Sequence, residues 1–169
     1  MKTVLVTGTP GTGKTVIAKK LSLLLNYAYF DVAQFIKKAH LYSKYDRKRA
    51  CYVVEAKKLV RELLKVREKA LKRGEKGIIF DSHMSHFLPC SKADLCIVTR
   101  CALKTLSQRL TKRGYSKSKI RENLDAEIFD TCLVEAVDNR HKIVAFDTTK
   151  KKNFKLFSKR IIRILNRRP

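Results

Sequence analysis

Eight residues near the amino terminus combine glycines with a lysine and a threonine at a fixed spacing. They run Gly8-Thr9-Pro10-Gly11-Thr12-Gly13-Lys14-Thr15 and match G-x-x-x-x-G-K-[ST] at every fixed position. In this pattern the glycines bring backbone amides close to an anion, the lysine reaches the outer phosphates and the hydroxyl holds Mg²⁺. The stretch predicts binding of a nucleoside triphosphate such as ATP. A glycine-rich turn that only connects two elements is the alternative.

The flanking residues predict a strand before the loop and a helix after it. Residues 3–7 form a short β-branched run, and apolar residues recur after the loop at helical spacing. These apolar residues are Val16, Ile17, Leu21, Leu24 and Leu25. A loop between a strand and a helix directs backbone N–H groups and the positive end of the helix dipole at a phosphate. The predicted nucleotide-binding residues of this unit are Gly11, Thr12, Gly13, Lys14, Thr15 and Val16.

Asp81 is the predicted carboxylate of a metal site, because it ends the apolar run Ile78-Ile79-Phe80. P-loop proteins hold the Mg²⁺ of a bound triphosphate partly through an acid at the end of a buried strand beside the first one. Thr15 and Asp81 are therefore the predicted Mg²⁺ residues, directly or through water. A turn aspartate is the alternative for Asp81.

His83 follows two residues later and is predicted to leave the sheet near the outer phosphate. There it could orient or deprotonate an attacking water. A hydrogen-bonded loop histidine is the alternative. Metal binding by His83 and His86 is not favoured, because no cysteine or carboxylate completes the set of ligands.

Arg109 and Arg113 are four residues apart, so both guanidinium groups can lie on one face of a helix end. Phosphoryl transfer requires neutralisation of charge that spreads over the phosphate oxygens, and arginine does this through paired N–H donors. Both arginines are predicted to act on the transferring group, with Lys14, Asp81 and His83 as the other catalytic residues. A solvated basic helix end is the alternative.

The charge balance of the chain is strongly basic. Its 169 residues include 39 Lys and Arg against 15 Asp and Glu, a net charge of +24. Such an excess attracts polyanions, and the scarcity of acids argues against the ion-pair networks of a thermophile surface. We expect contact with RNA or a ribonucleoprotein, with a basic surface that only reflects the host as the alternative.

Cysteine usage and hydropathy predict a soluble, cytoplasmic protein with no membrane partner. The five cysteines are odd in number and lack a C-x-x-C pair, which argues against both a disulfide framework and a zinc site. Cys96 and Cys132 are predicted to be small core residues. No apolar run approaches the ~20 residues of a membrane span. Residues 4–7 are too short for a signal-peptide core.

Five short apolar stretches separated by helices predict an α/β fold in a single domain, 1–169. Strands are expected at 3–7, 27–30, 77–81, 94–99 and 142–146. With no hairpin signal, they predict a five-stranded parallel sheet flanked by helices on both faces. Residues 41–49 are expected to form a mobile, basic loop that carries tyrosines. Helices are expected after Asp31, at 52–72, 102–112 and 118–138, and at the carboxyl end.

Several of these motifs together resemble the adenylate kinase isoenzyme 6 type family. This family includes the coilin-interacting nuclear ATPase protein and its archaeal and yeast relatives in small-ribosomal-subunit assembly. The resemblance covers essentially the whole chain. It is carried by the glycine loop, Leu41-Tyr42 with Tyr45-Asp46, Asp81-Ser82-His83, Arg109-Leu110 with Arg113-Gly114-Tyr115, and Glu127-Ile128-Phe129.

The resemblance implies a P-loop NTPase fold of the nucleoside monophosphate kinase type. The monophosphate (NMP)-binding region would span about 31–54 and a short lid about 112–122. It implies adenylate kinase activity, slow ATP hydrolysis and a lid arginine, Arg113, that contacts ATP. Lys37 and Lys38 stand where adenylate kinases offer an arginine to the acceptor phosphate, and lysine holds phosphate without a bidentate fork.

The resemblance also implies partners in ribosome assembly. These are a small-subunit ribosomal protein of the S-eleven type and, directly or through it, pre-rRNA or small-subunit rRNA. Residues 150–169 contain nine lysines or arginines and no acid, which fits contact with a phosphate backbone. A housekeeping nucleotide kinase that uses AMP or another NMP is one rival hypothesis. A non-catalytic RNA-binding module that keeps ATP as a structural ligand is the other.

Overall fold

The five predicted strands form one parallel sheet. The computed structural model describes residues 1–46, 51–150 and 154–166. In chain order its elements are β1 (Lys2–Thr7), α1 (Lys14–Leu25), β2 (Ala28–Asp31), α2 (Val32–Lys38), β3 (Lys44–Asp46), β4 (Cys51–Val53), α3 (Ala56–Lys72), β5 (Gly77–Asp81), β6 (Leu95–Arg100), α4 (Leu103–Lys112), α5 (Lys117–Ile128), α6 (Thr131–Asp138), β7 (Ile143–Asp147) and α7 (Phe154–Asn166). The sheet order is β2-β5-β1-β6-β7, so β1 is central.

The parallel register aligns the ends of the strands that carry the predicted site. Val6 of β1 is opposite Asp81 of β5, and Asp81 is in turn opposite Asp31 of β2. The carboxyl ends of β1 and β5 therefore meet at one edge of the sheet, where ligands bind in open α/β folds. This arrangement confirms the prediction that Asp81 ends a strand beside the first.

Alternating side chains of the strands form two cores, one on each face of the sheet. Leu5, Ile78 and Phe80 belong to the core that includes Val32 of α2 and Leu63 of α3. The opposite core contains the neighbouring strand positions and residues of α1 and α7, namely Val4, Val6, Ile79, Ile97, Ile17, Leu21, Phe157 and Ile161. Burial on both faces explains why the strands read as continuous apolar runs.

Residues 44–46 of the expected irregular loop at 41–49 instead form a short strand, β3, that pairs with β4. β3 and β4 pair antiparallel, with Tyr45 opposite Tyr52 and their ring centroids 5.1 Å apart. Tyr42 adds a third ring, 4.3 Å from that of Tyr52. Cross-strand aromatic pairs of this kind stabilise two-stranded ribbons. The sequence shows no hairpin signal, and the prediction drawn from that was wrong for this segment. The predicted basic residues Arg47, Lys48 and Arg49 lie outside the described residues.

Two helix boundaries differ from the prediction, while the amino-terminal cap of α2 is confirmed. The Asp31 side chain accepts a 2.9 Å hydrogen bond from the Gln34 amide. α3 starts at Ala56, because Tyr52 belongs to β4. The predicted helix 118–138 is broken at Asp130, which has a φ of 50° and forms a 2.6 Å ion pair with Arg100. None of the helices in the described ranges has both the length and the hydropathy needed to cross a bilayer.

Candidate nucleotide site

The glycine loop lies at the carboxyl end of the central strand and leads directly into α1. Gly8 has a φ of +134°, and a Cβ there would overlap the carbonyl of Thr99. At Gly11 a Cβ would lie 2.8 Å from side-chain atoms of both Leu106 and Leu110. The loop thus needs glycine at Gly8 and Gly11 because neighbouring elements pack against its backbone. Thr12 is fully buried, with its side chain hydrogen-bonded to Thr99 and its backbone N–H to the Thr9 carbonyl, so it shapes the loop from within.

The Lys14 ammonium lies across the loop and is partly buried. It donates hydrogen bonds of 2.7 Å to the Gly8 carbonyl and 3.1 Å to the Thr9 carbonyl. Burial lowers the pKa of Lys14 from 10.5 to about 8, and the nearby Cys132 and Asp81 oppose the shift. Because the ammonium lies so close to the loop backbone, it can act on phosphate oxygens that the backbone N–H groups of this loop bind.

The two predicted Mg²⁺ residues lie near one tyrosine hydroxyl. The Tyr29 hydroxyl donates a 2.9 Å hydrogen bond to Oδ2 of the buried Asp81, and the Thr15 side chain is near enough to act on the pKa of Tyr29. Burial and the carboxylate raise the pKa of Tyr29, so it remains a donor. A hydroxyl and a carboxylate that both lie near one phenol are oxygen ligands of the kind that a hard cation takes, directly or through water. The residues therefore fit Mg²⁺.

His83 follows Asp81 after the end of β5 as an exposed residue that lies near enough to Lys14 for the ammonium to act on its pKa, and its predicted role at the outer phosphate stays a prediction. Its ring is open to solvent on one side, yet the surrounding protein and the Lys14 ammonium lower its pKa from 6.5 to about 4. The imidazole is consequently neutral at physiological pH and can accept a hydrogen bond or a proton.

Arg109 makes contacts that its predicted role did not include. Its Nη1 donates 3.0 Å to the Thr148 hydroxyl, and its Nη2 donates 2.7 Å to the Thr148 carbonyl. A longer contact of 3.5 Å joins Nη1 to the Gly11 carbonyl. These bonds join the loop after β7 to the glycine loop, so Arg109 is a positioning residue of the site in this structure. Its predicted contact with the transferring phosphoryl group stays a prediction.

A cavity of about 370 Å³ opens beside the glycine loop. It is lined by Gly11, Gly13, Val16, Ile17, Lys20, Arg109, Arg113, Phe146, Thr148, Lys150 and Phe154. Its volume is in the range typical of small-ligand sites, and its wall combines aromatic rings with cations. A groove of about 540 Å³ between β7 and α7 is larger but contains none of the glycine-loop residues.

The cavity brings together the predicted residues Gly11, Gly13, Val16 and Arg113. Val16 is 57% exposed and lines this space, whereas Ile17 and Leu21 of the same apolar pattern are buried. Sequence reasoning missed Tyr29 and Thr148, which hold Asp81 and Arg109. Tyr29 was only a strand residue and Thr148 had no motif around it, so the sequence carried no signal for either role.

The sheet order, the glycine loop and the cavity define a P-loop kinase fold, and solved structures show the same fold. A sugar kinase from Janibacter sp. HTCC2649 superposes with a TM-score of 0.66 at 16% identity, over 98% of this chain and 95% of that chain. Deoxyadenosine kinase from M. mycoides with bound dATP superposes with a TM-score of 0.54 at 19% identity, over 99% and 100%. At such identities the similarity shows the fold alone.

Sequence comparison shows the family. Residues 4–130 match the family model described as an AAA domain. A Methanocaldococcus jannaschii protein named "Putative adenylate kinase" is 40% identical over 144 residues, which cover 85% of this chain and 75% of that protein. A Pyrococcus furiosus protein of the same name is 41% identical over 147 residues, covering 86% and 74%. The chain belongs to this adenylate kinase-like family and is a phosphotransferase of the nucleotide-kinase type that uses a nucleotide.

Proposed function

We propose that the protein transfers the γ-phosphoryl group of Mg·ATP to a nucleoside monophosphate, with AMP as the first candidate, and slowly hydrolyses ATP. The observation that carries the proposal is the continuity of the 370 Å³ cavity with the glycine loop. A nucleoside in that cavity directs its phosphates towards the amides of residues 11–15 and the Lys14 ammonium. The names of the archaeal relatives support ATP and AMP as the pair of nucleotides.

Each residue of the site has a distinct role in this proposal. Thr15 and Asp81 would hold Mg²⁺, which neutralises charge on the β- and γ-phosphates when bound. Lys14 and Arg113 stabilise the charge that develops on the transferring group. Neutral His83 orients the attacking water, or the acceptor phosphate, through its free nitrogen lone pair.

The acceptor is assigned to the predicted NMP-binding region, about 31–54. A depression of about 490 Å³ is lined there by Lys37, Tyr42, Tyr45 and Tyr52. The Lys37 ammonium lies 5.8 Å from the centroid of the Tyr52 ring, so a cation and an aromatic face lie side by side. A nucleobase can stack on such rings while the ammonium binds its phosphate. Because lysine lacks the arginine fork, we expect transfer to AMP to be slow.

The experiment that tests this function follows the fate of ATP alone and with AMP. We expect ADP in both reactions, with faster ADP formation when AMP is present. Lys14→Ala should reduce both rates by about a hundredfold or more, since it removes charge stabilisation from the transition state. Lys104→Ala, on the exposed face of α4, is the matched control and should retain both rates. Normal turnover by Lys14→Ala would contradict the proposal.

We further propose a role in small-subunit assembly through a ribosomal protein of the S-eleven type and rRNA. The supporting observations are the net charge of +24 and the exposure of Lys155, Lys159, Arg160 and Arg163 along α7. A basic helix face binds a phosphate backbone without reading its sequence. Mg·ATP binding and turnover would control the contact with the ribosomal components.

A salt series of RNA binding, together with ATP turnover with and without the ribosomal protein, tests this second proposal. We expect affinity for RNA to fall steeply with salt, because each neutralised phosphate releases a counterion. We also expect the ribosomal protein to change the rate of ATP turnover. Salt-independent binding and unchanged turnover would favour a housekeeping nucleotide kinase. RNA binding without any ATP consumption would favour a non-catalytic RNA-binding module.

A further inference from the structure

Three side chains from two distant parts of the sequence converge beneath the glycine loop. His86 lies in a short turn after β5, and Cys132 and Glu135 are one turn apart on α6. One nitrogen of His86, the Cys132 thiol sulfur and one carboxylate oxygen of Glu135 all lie within 4.8 Å of one another. His86 is fully buried, Cys132 is partly buried and the Glu135 side chain is 40% exposed.

The histidine nitrogen that faces this cluster lacks a hydrogen-bond partner. His86 Nε2 is 2.9 Å from Oε2 of Glu135, but the geometry is not that of a hydrogen bond. Among the described residues it is the one buried side-chain nitrogen or oxygen left unsatisfied. Buried polar atoms are rarely left so, because an unmade hydrogen bond leaves the full cost of removing the atom from water. The unsatisfied nitrogen therefore points to a ligand.

We propose that His86, Cys132 and Glu135 form a binding site for a zinc-class transition-metal ion. Imidazole nitrogen, thiolate sulfur and carboxylate oxygen are the three ligand types that zinc takes in proteins, whereas Mg²⁺ avoids sulfur. Three protein ligands leave the fourth tetrahedral position open to water. The half-exposed Glu135 carboxylate provides the route by which the ion enters.

The surroundings of the cluster suit a bound ion. The other nitrogen of His86, Nδ1, is 2.7 Å from the Thr7 hydroxyl, which fixes the ring so that Nε2 faces the cluster. A hydrogen bond of this kind orients histidine ligands in metalloproteins. Thiolate and carboxylate together carry two negative charges, so a divalent ion makes the site neutral. Because the occupied site has no net charge, it does not repel the nearby Lys14 ammonium.

A metal ion at this site would link α6 to the residues that pack beneath the glycine loop. Thr7 ends β1, His86 follows β5 and the other two ligands belong to α6. None of the three ligands is among the residues assigned to Mg·ATP, so the ion and the nucleotide would not compete for the same side chains. The ion would stabilise the fold without ATP, because it binds the native chain and not the unfolded one.

Co²⁺ is the probe for this site, since a cobalt–thiolate bond produces a charge-transfer absorption in the near ultraviolet. We expect the full chain to bind one Co²⁺ with this absorption, and Zn²⁺ but not Mg²⁺ to displace it. Cys132→Ser should abolish the absorption. Cys90→Ser, at an exposed cysteine that is not one of the three clustered ligands, is the matched control and should retain it. Absence of the absorption in the wild type, or its survival in Cys132→Ser, would overturn the proposal.

A second variant keeps the proposal testable if Cys132→Ser fails to fold. Glu135→Gln removes the charge of a half-exposed ligand and should leave the far-ultraviolet circular dichroism unchanged. We expect this variant to bind Co²⁺ about 10–100-fold more weakly than the wild type. Unchanged affinity in Glu135→Gln would overturn the site. Neither readout depends on ATP turnover, so failure here is distinct from failure of the proposed function.

Discussion

The Tyr29 hydroxyl donates a 2.9 Å hydrogen bond to Oδ2 of Asp81. Asp81 ends β5, and Tyr29 lies two residues before the end of the neighbouring β2, opposite Ile79. Parallel pairing of the two strands therefore brings residues 29 and 81 to the same side of the sheet. The bond fixes the carboxylate of the proposed Mg²⁺ site. A strand residue outside the glycine loop therefore positions one of the two proposed metal-binding groups.

We expect Tyr29→Phe to lower the rate of Mg·ATP turnover about tenfold and to raise the Mg²⁺ concentration needed for half-maximal rate. The substitution preserves the ring but releases the carboxylate, and hydrogen bonds to charged groups contribute about 1.5–3 kcal/mol. Turnover measured over a Mg²⁺ titration checks this. Tyr27→Phe, close by on the chain, is the control and should leave the titration unchanged. An unaltered Mg²⁺ dependence in Tyr29→Phe would show that the tyrosine has no positioning role.

Arg109→Lys should raise the KM for ATP about tenfold with a smaller effect on kcat. A lysine cannot make the two Thr148 contacts at once, so the wall of the cavity loses its link to the glycine loop. Steady-state kinetics over an ATP series measures the effect. Arg73→Lys, at the exposed end of α3, is the matched control. A loss confined to kcat would instead support direct contact of Arg109 with the transferring phosphoryl group.

His83→Asn should lower kcat for ATP hydrolysis by about a hundredfold with little change in ATP affinity. The residue is assigned to the attacking water and not to the nucleotide. Because the pKa of His83 is lowered to about 4, the wild-type imidazole stays neutral well below its usual value of 6.5. In a pH series, wild-type turnover should therefore show no loss centred near pH 6.5 that depends on His83. The profiles of the wild type and of His83→Asn should have the same shape in that region. Finding such a loss would mean that the histidine titrates normally.

The pKa of Lys14 predicts how stability without nucleotide depends on pH. The folded chain releases the Lys14 proton near pH 8, whereas the unfolded chain holds it up to about 10.5. Between these values the unfolded state binds more protons, so this residue makes stability rise with pH. Below the folded pKa the cost of burying the ammonium is fully present.

Urea unfolding at several pH values across this window, in wild type and Lys14→Met, measures the effect. The wild type should gain stability relative to the variant as the pH rises from about 8 towards 10.5. Lys104→Met, which removes an exposed lysine, should follow the wild type. Parallel curves for wild type and Lys14→Met would show that Lys14 titrates as an ordinary lysine.

Much of the fold and the centre of the site were predictable from local patterns. The glycine loop, the five strands and Asp81 at the end of β5 all follow from residues within a few positions of one another. Spacing in a short stretch fixes which amides and side chains meet, because the chain itself holds them together. For the same reason the Asp31 cap of α2 was predictable.

Tertiary structure decided every contact that joins distant parts of the chain. The sequence assigned Arg109 to the phosphates, yet its partner Thr148 is brought to it by β7 beside β6. The sequence argued against a zinc site because it has no C-x-x-C pair and no cysteine or carboxylate to complete a set with His83 and His86, but folding places Cys132 and Glu135 next to His86. Such contacts depend on which strands pair and which helix faces pack. These are properties of the whole domain, and no short stretch of residues encodes them.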